Sequence, residues 1–239
     1  MRKLLIPILV LVACFTSAAH AQRPEVFLGP NTDRPVPGLQ ASVNYLARCL
    51  ADPTDRVSCL AAGGSAQNGG LEAADIKTSG YVLCGAPGGI CVVELATLDL
   101  AARNAPPGKK PLPSVDVTIL FDFDVGQVRQ SEAGKLKQLA SALLDPLNAK
   151  AKFAVIGHTD AKGTDAYNCG LSARRANAVR EWLRALGIAP ERLVTLSAGE
   201  HLLINKQNGE AAENRRVGFA KLASDASAVV ARFEKLCRT

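Results

Sequence analysis

An aspartate and an arginine fifteen positions apart are the residues of this sequence best suited to bind a ligand. The apolar run 153–156 leads to Asp160, and a helical pattern that we predict to open at Ser172 carries Arg175 in its first turn. A strand–loop–helix unit brings a strand end close to the next helix N-terminus, where ligands collect beside parallel strands. A carboxylate binds an ammonium group, and a guanidinium fork binds both oxygens of a carboxylate. The pair therefore predicts a site for a small group that bears an amine and a carboxylate.

Other chemistry finds little support in the residue pattern. Asp160 and Arg175 can also pair with each other, which is compatible with ligand binding. We interpret His158, inside a strand pattern, as a hydrogen-bonded structural histidine rather than a general base. The sequence has no GxSxG, HExxH or phosphate-loop motif, which predicts a protein that is not an enzyme. With three histidines and no CxxC spacing, it also predicts no metal site and no cofactor.

Composition and charge are those of a globular protein. Hydrophobic residues make up 48% and charged residues 21% of the 239 positions, as in ordinary domains. The formal net charge is +6, and because Arg2 and Lys3 lie in a predicted targeting segment, the remainder carries 28 − 2 − 22 = +4. This mild charge, with one Trp and three Tyr, does not indicate a nucleic-acid partner.

Residues 1–21 are predicted to be an export signal. Two basic residues precede the apolar stretch 4–13, and Ala19-His20-Ala21 fits a small-x-small cleavage site. In an alternative interpretation, the run 11–14 is a lipoprotein box that leaves Cys14 acylated. No later segment approaches the roughly 18 apolar residues of a transmembrane helix.

Six cysteines remain once Cys14 is set aside. An even number in an exported chain indicates three disulfides, although spacing alone cannot choose among the pairings. We predict nearest-neighbour bridges, with some free buried thiols as the alternative. The predicted bridges are Cys49–Cys59, Cys84–Cys91 and Cys169–Cys237.

The N-terminal half is predicted to hold an extended leader (22–38), a small disulfide-containing region (39–103) and a Pro-rich linker (104–113). Within the small region, helical spacing ends at Pro53, and two later strands flank a Gly-rich turn to form a hairpin. So small a region needs its cysteines to supplement a thin core.

A second domain, with a C-terminal helix, is predicted over 114–239. Strand patterns cover 115–124, 153–159, 192–197 and 215–222. Ser131 is a plausible cap of the first helix, and Ser224-Asp225 of the last. The order β-α-β-α-β-β-α predicts an α/β (α+β) fold with helices on a mixed sheet.

From about 115 to 222 the chain resembles the OmpA-like, peptidoglycan-binding domain family. The matching motifs are FDFD at 121–124, GHTD at 157–160 with Gly163, YN at 167–168, LS at 171–172, Arg175-Ala176 with Val179, GE at 199–200 and NRRV at 214–217. Residues 201–204 depart from the family, which usually has a proline there. The resemblance does not extend to residues 22–113.

This resemblance implies non-catalytic binding of peptidoglycan through the diaminopimelate of its stem peptide. By the family motif, Asp160 would bind the ammonium group and Arg175 a carboxylate. The remaining implied contacts are the accessory residues Asn168 and Thr159 and the supporting residues Asn214 and Arg215. The protein would anchor to the cell wall in the periplasm or at the outer membrane. The alternatives are a scaffold whose residues 39–103 bind another envelope protein, and a hydrolase of the wall.

Overall fold

The computed structural model describes residues 37–54, 58–59, 70–84, 89–94, 101, 103–106, 108–121, 126–223 and 226–237. All of them belong to one compact unit, Thr32–Thr239. The predicted signal, Cys14, most of the leader and Asp122–Asp124 lie outside the described residues. No described helix combines the length and the apolar character that crossing a membrane requires.

The described elements form a mixed sheet with helices on both faces. The helices described along their length are α1 (Pro37–Ala51), α2 (Ala133–Leu144), α3 (Asp165–Ala185) and α4 (Ser227–Leu236). The strands are β1 (Ile76–Cys84), β2 (Gly89–Glu94), β3 (Leu112–Val117), β4 (Phe153–Gly157), β5 (Leu193–Ser197) and β6 (Val217–Lys221). They lie in the order β2-β1-β3-β6-β4-β5. β4 and β5 pair in parallel, and the other neighbours are antiparallel.

Alternation along the strands divides the core into two layers. Val155 of β4 faces the layer that α1, α2 and α3 build. Its neighbour Ile156 faces the layer that holds Val229 and Phe233 of α4. The apolar stripe of α2 is buried throughout at Leu136, Leu139, Ala140 and Leu143. The predicted α+β class with helices on a mixed sheet is therefore confirmed.

The N-terminal hairpin belongs to this sheet, which corrects the prediction of a separate small region at 39–103. β1 pairs with β3 in an antiparallel register that sets Ile76 opposite Val117. From the same region, α1 contributes Leu46 and Leu50 to the first core layer. The physical reason is that β3 would otherwise be an edge strand with unpaired N–H and C=O groups, and β1 satisfies them.

Two element boundaries also differ from the prediction. β3 begins at Leu112, inside the predicted linker 104–113, and ends at Val117 rather than near 124. Ser131 does not cap α2, because it lies within a 3-10 turn, Gln130–Glu132, that precedes the helix.

All three predicted disulfides are present. Cys49–Cys59 joins the end of α1 to the segment after it, and Cys84–Cys91 crosses the neck of the β1–β2 hairpin. Cys169–Cys237 links the second turn of α3 to the end of α4 across 68 positions. The last bridge fixes the C-terminal helix beside the predicted ligand loop.

Candidate functional site

The candidate site lies where β4 ends, beside the first half of α3 and the start of β6. A Cβ added to Gly157 would collide with the carbonyl oxygen of Ser172, so only glycine lets α3 approach the strand so closely. The backbone N–H of Thr159 donates to Gly199 O at 2.9 Å, which joins the strand end to the loop after β5. The close approach brings the side chains of α3 next to the loop that carries Asp160.

Asp160 faces Arg215 rather than Arg175. Its Oδ2 lies 2.8 Å from Nη1 of Arg215, and its Oδ1 accepts a bond from the backbone N–H of Lys162 at 3.3 Å. The Asp160 side chain is 16% exposed and that of Arg215 is 43% exposed. The carboxylate therefore borders solvent and keeps lone pairs for a further donor.

Arg175 is a buried cation, only 6% exposed. Its guanidinium carbon lies 4.9 Å from the centre of the Phe121 ring, and its Nε has no hydrogen-bond partner among the described residues. Burial lowers the pKa of Arg175, and the nearby Asp160 carboxylate opposes that shift. The group still carries its charge at neutral pH.

Arg175 does not lie in the first turn of its helix, which corrects the prediction from the sequence. α3 begins at Asp165, where the Thr164 hydroxyl accepts a bond from Tyr167 N at 3.3 Å. Asn168 and Cys169 are therefore helical instead of forming a loop. Because dipole effects fade beyond the first turn, the helix N-terminus does not reinforce anion binding at Arg175.

The two predicted accessory residues are both buried at 1% exposure. The Nδ2 of Asn168 donates to the carbonyl of Lys162 at 3.1 Å and to the Glu200 carboxylate, so it joins the loops on either side of the site. The Thr159 hydroxyl has no partner among the described residues. Asn168 is thus placed as a brace, and Thr159 keeps an unused polar group beside Asp160.

The supporting residue Asn214 organises the loop that precedes β6. Its Oδ1 accepts bonds from the N–H groups of Ile204 and Asn205, each at 3.0 Å. Its Nδ2 donates to three carbonyls of the same loop, those of Asn205, Asn208 and Gly209. The side chain is fully occupied, so Asn214 braces the loop from which Arg215 reaches Asp160.

Phe121 is a site residue that residue type and spacing do not predict. It belongs to the FDFD motif, but only the tertiary fold stacks its ring under Arg175. An aromatic face stabilises a desolvated guanidinium without occupying its N–H donors. The motif was therefore the only available signal, and the contact itself could not be predicted.

One group of potential metal ligands occurs among the described residues. Cys169, His201 and Cys237 place their ligand atoms within 4.8 Å of one another. The two sulfurs are bonded to each other, and His201 Nε2 lies 2.8 Å from the Asp165 carboxylate. These residues therefore form a bridged cluster that supports the start of α3.

Comparison with known proteins identifies the class of this domain. Residues 120–216 match the model of the OmpA family. This segment includes Phe121, Asp160, Arg175 and Arg215, so all the charged groups of the site lie within it. The segment from 120 to 216 is an OmpA-like domain.

The relatives span only part of the chain. Outer membrane porin F of Pseudomonas fluorescens is 38% identical over 105 residues, which are 43% of this chain and 32% of that protein. Peptidoglycan-associated lipoprotein of Buchnera aphidicola subsp. Baizongia pistaciae is 34% identical over 103 residues, 42% of this chain and 58% of that protein. The crystal structure of the peptidoglycan-associated lipoprotein from Burkholderia pseudomallei is 29% identical and covers 44% of this chain and 88% of that one, with a TM-score of 0.38. The chain thus spans less than two thirds of the first two relatives.

Proposed function

We propose that this protein binds peptidoglycan non-catalytically through the diaminopimelate of the stem peptide and so anchors an exported envelope protein to the cell wall. The single observation that carries the proposal is Arg175, a buried guanidinium that has no ion-pair partner among the described residues. A buried charge without a partner is costly. A ligand carboxylate would supply the missing partner, and the guanidinium can bind both of its oxygens.

Asp160 supports the second half of the recognition. Its carboxylate already accepts from Arg215 and from Lys162 N, and a carboxylate offers about four acceptor positions. A ligand ammonium group can take a remaining position at the exposed rim. The free end of diaminopimelate carries an ammonium and a carboxylate on one carbon, and the two charges of the site match that pair.

The relatives agree with a binding role. Two of those described above are named peptidoglycan-associated lipoproteins and one is named an outer membrane porin, and none of these names denotes an enzyme. A periplasmic location at the wall or outer membrane follows from this proposal. Export through residues 1–21, acylation at Cys14 and a protein partner for residues 39–103 stay predictions.

Calorimetric titration with two synthetic stem tripeptides tests the proposal. One peptide ends in meso-diaminopimelate, and the other has lysine in its place, which keeps the side-chain ammonium but lacks the adjacent carboxylate. We expect the wild type to prefer the diaminopimelate peptide by ~10-fold or more, because a hydrogen bond to a charged group contributes about 1.5–3 kcal/mol. The Arg175→Ala variant should lose this preference.

Arg174→Ala is the matched control. Arg174 is the exposed neighbour of Arg175 on the same helix, so its substitution removes the same charge without emptying the site. The control should bind both peptides as the wild type does. Asp160→Ala should weaken binding of both peptides, since both carry the ammonium. Equal affinity of the wild type and Arg175→Ala for the diaminopimelate peptide would refute the proposed recognition.

A further inference from the structure

We propose that strand β1, which lies outside the OmpA-like segment, positions the peptidoglycan site through the buried side chains of Ser79 and Tyr81. The inference rests on the proposed function, because it concerns the geometry of the same site. It gives residues 76–84 a role in ligand binding within the domain.

The first link runs from Tyr81 to the strand that presents Asp160. Tyr81 is fully buried, and its hydroxyl lies 2.9 Å from Nε2 of His158. The two rings are parallel within 9° at a centroid distance of 6.0 Å. His158 is followed by Thr159 and Asp160, so Tyr81 fixes the direction in which the chain leaves β4.

Protonation in this contact is settled by its surroundings. Burial, and then the Asp116 charge, raises the pKa of Tyr81, so its hydroxyl keeps its proton. Burial, and then the Arg216 charge, lowers the pKa of His158 well below its usual value, so the imidazole is neutral. A neutral phenol and a neutral imidazole can share one hydrogen bond without an unpaired charge.

The second link runs from Ser79 to the strand that presents Arg215. The Ser79 hydroxyl donates to Asp116 Oδ2 at 2.6 Å, and Ser114 donates to Oδ1 at 3.2 Å. Asp116 Oδ2 lies 3.3 Å from Nε of Arg216, and both of these side chains are 2% exposed. Ser79 therefore orients the only carboxylate that pairs with Arg216 among the described residues.

Arg216, which Asp116 orients, is hydrogen-bonded to two segments at the rim of the site. Its Nη2 donates to the carbonyl of Leu202 at 3.2 Å, in the loop between β5 and β6. Its own carbonyl accepts from His158 N at 3.0 Å. Because Arg215 precedes Arg216, the same constraint sets where the guanidinium of Arg215 meets Asp160.

The two links act on the two chain segments that carry the Asp160–Arg215 pair. Both originate on β1, whose residues precede the OmpA-like segment at 120–216. Buried charged and polar groups in a network are expensive unless every member is oriented. Loss of one hydroxyl from β1 should therefore move the chain segments that carry Asp160 and Arg215, and it should also lower the stability of the protein.

The test compares Tyr81→Phe and Ser79→Ala with Val115→Ala in the full mature chain. Val115 is fully buried in the core layer opposite the one that holds Tyr81, and its side chain contributes no polar atom to either link. Its truncation to alanine lowers stability by leaving a cavity but removes no hydrogen bond of the two links. It therefore shows whether loss of stability alone weakens ligand binding. Affinity for the diaminopimelate tripeptide is measured at a temperature where every variant is fully folded. Nitrogen–proton NMR spectra report the backbone amides of Thr159 and Arg215.

We expect Tyr81→Phe and Ser79→Ala each to weaken binding by roughly three- to ten-fold, the size of one hydrogen bond. Both should move the amide signals of Thr159 and Arg215, whereas Val115→Ala should leave affinity and signals unchanged. Wild-type affinity in both hydroxyl variants, or an equal loss in Val115→Ala, would overturn the inference. If the wild type itself fails to bind, the proposed function fails, and unmoved amide signals in both hydroxyl variants would then overturn the inference independently.

Discussion

Removal of the Cys169–Cys237 bridge should destabilise the protein more than removal of any other disulfide. The bridge spans 68 positions, compared with 7 for Cys84–Cys91. A disulfide stabilises mainly by restricting the unfolded chain, and the effect grows with the logarithm of the loop length. In the chain-entropy relation, the long loop contributes about 4.4 kcal/mol and the short loop about 2.5 kcal/mol.

Two double variants, Cys169→Ala/Cys237→Ala and Cys84→Ala/Cys91→Ala, isolate this difference. Each removes two sulfur atoms and creates no free thiol, so most of the local packing loss is matched. Urea denaturation at pH 7, followed by circular dichroism, should show that the first pair loses about 2 kcal/mol more of unfolding free energy than the second. The slope against urea also shows whether both variants unfold in one step.

An equal or smaller loss in the Cys169/Cys237 variant would refute this reasoning. It would mean that α4 stays in place through its apolar contacts, chiefly Val229 and Phe233, and that the unfolded chain gains little freedom. A wild-type melt that is unchanged by reductant would contradict the three-disulfide structure altogether.

Two further predictions concern the core of the site. Since His158 keeps its pKa well below its usual 6.5, the unfolded chain binds this proton below about pH 6.5 and the folded chain does not. Stability should therefore fall from pH 6.5 to 5 by up to about 1.4 kcal/mol per unit, and urea melts of His158→Gln should show a shallower fall; the same slope in both proteins would contradict the assignment. Gly157→Ala should lower the melting temperature severely because its Cβ meets Ser172 O, whereas Gly170→Ala, at a helical position with space for a methyl group, should raise stability by about 0.5–1 kcal/mol. Similar melting temperatures for these two variants would be inconsistent with the tight contact of α3 and β4.

Local pattern predicted most of the elements, because their residues carry their own periodicity. The apolar residues of α2 recur at helical spacing and those of β4 form a continuous run, and both sets are buried. The hairpin at β1 and β2 was also predicted, together with the disulfide across its neck. The sequence pattern does not predict that β1 pairs with β3, because the spacing of residues within one strand carries no information about its partner strand. The Pro- and Lys-rich segment before β3 looked like a linker, although β3 starts within it.

In the candidate site, too, the sequence predicts the individual residues but not the long-range contacts between them. The spacing of Asp160 and Arg175 in a strand–loop–helix pattern predicts that they lie close together, and the fold places both beside the end of β4. The start of α3 was predicted too late, although Thr164 was available as a cap. Asp116 lies in the predicted strand 115–124, and its side chain is buried against Arg216. Asp116 and Arg216 are a hundred positions apart in the chain, so no local sequence pattern predicts their contact.

Sedimentation of the mature protein with purified peptidoglycan sacculi shows whether the protein binds peptidoglycan through Asp160 and Arg175. The wild type and Arg174→Ala should pellet with the sacculi, and the Asp160→Ala/Arg175→Ala variant should remain in the supernatant while its circular dichroism spectrum stays that of the folded protein. Pelleting of the folded double variant to the same extent as the wild type would show that Asp160 and Arg175 do not carry peptidoglycan binding, and a wild type that does not pellet would show that the protein does not bind sacculi.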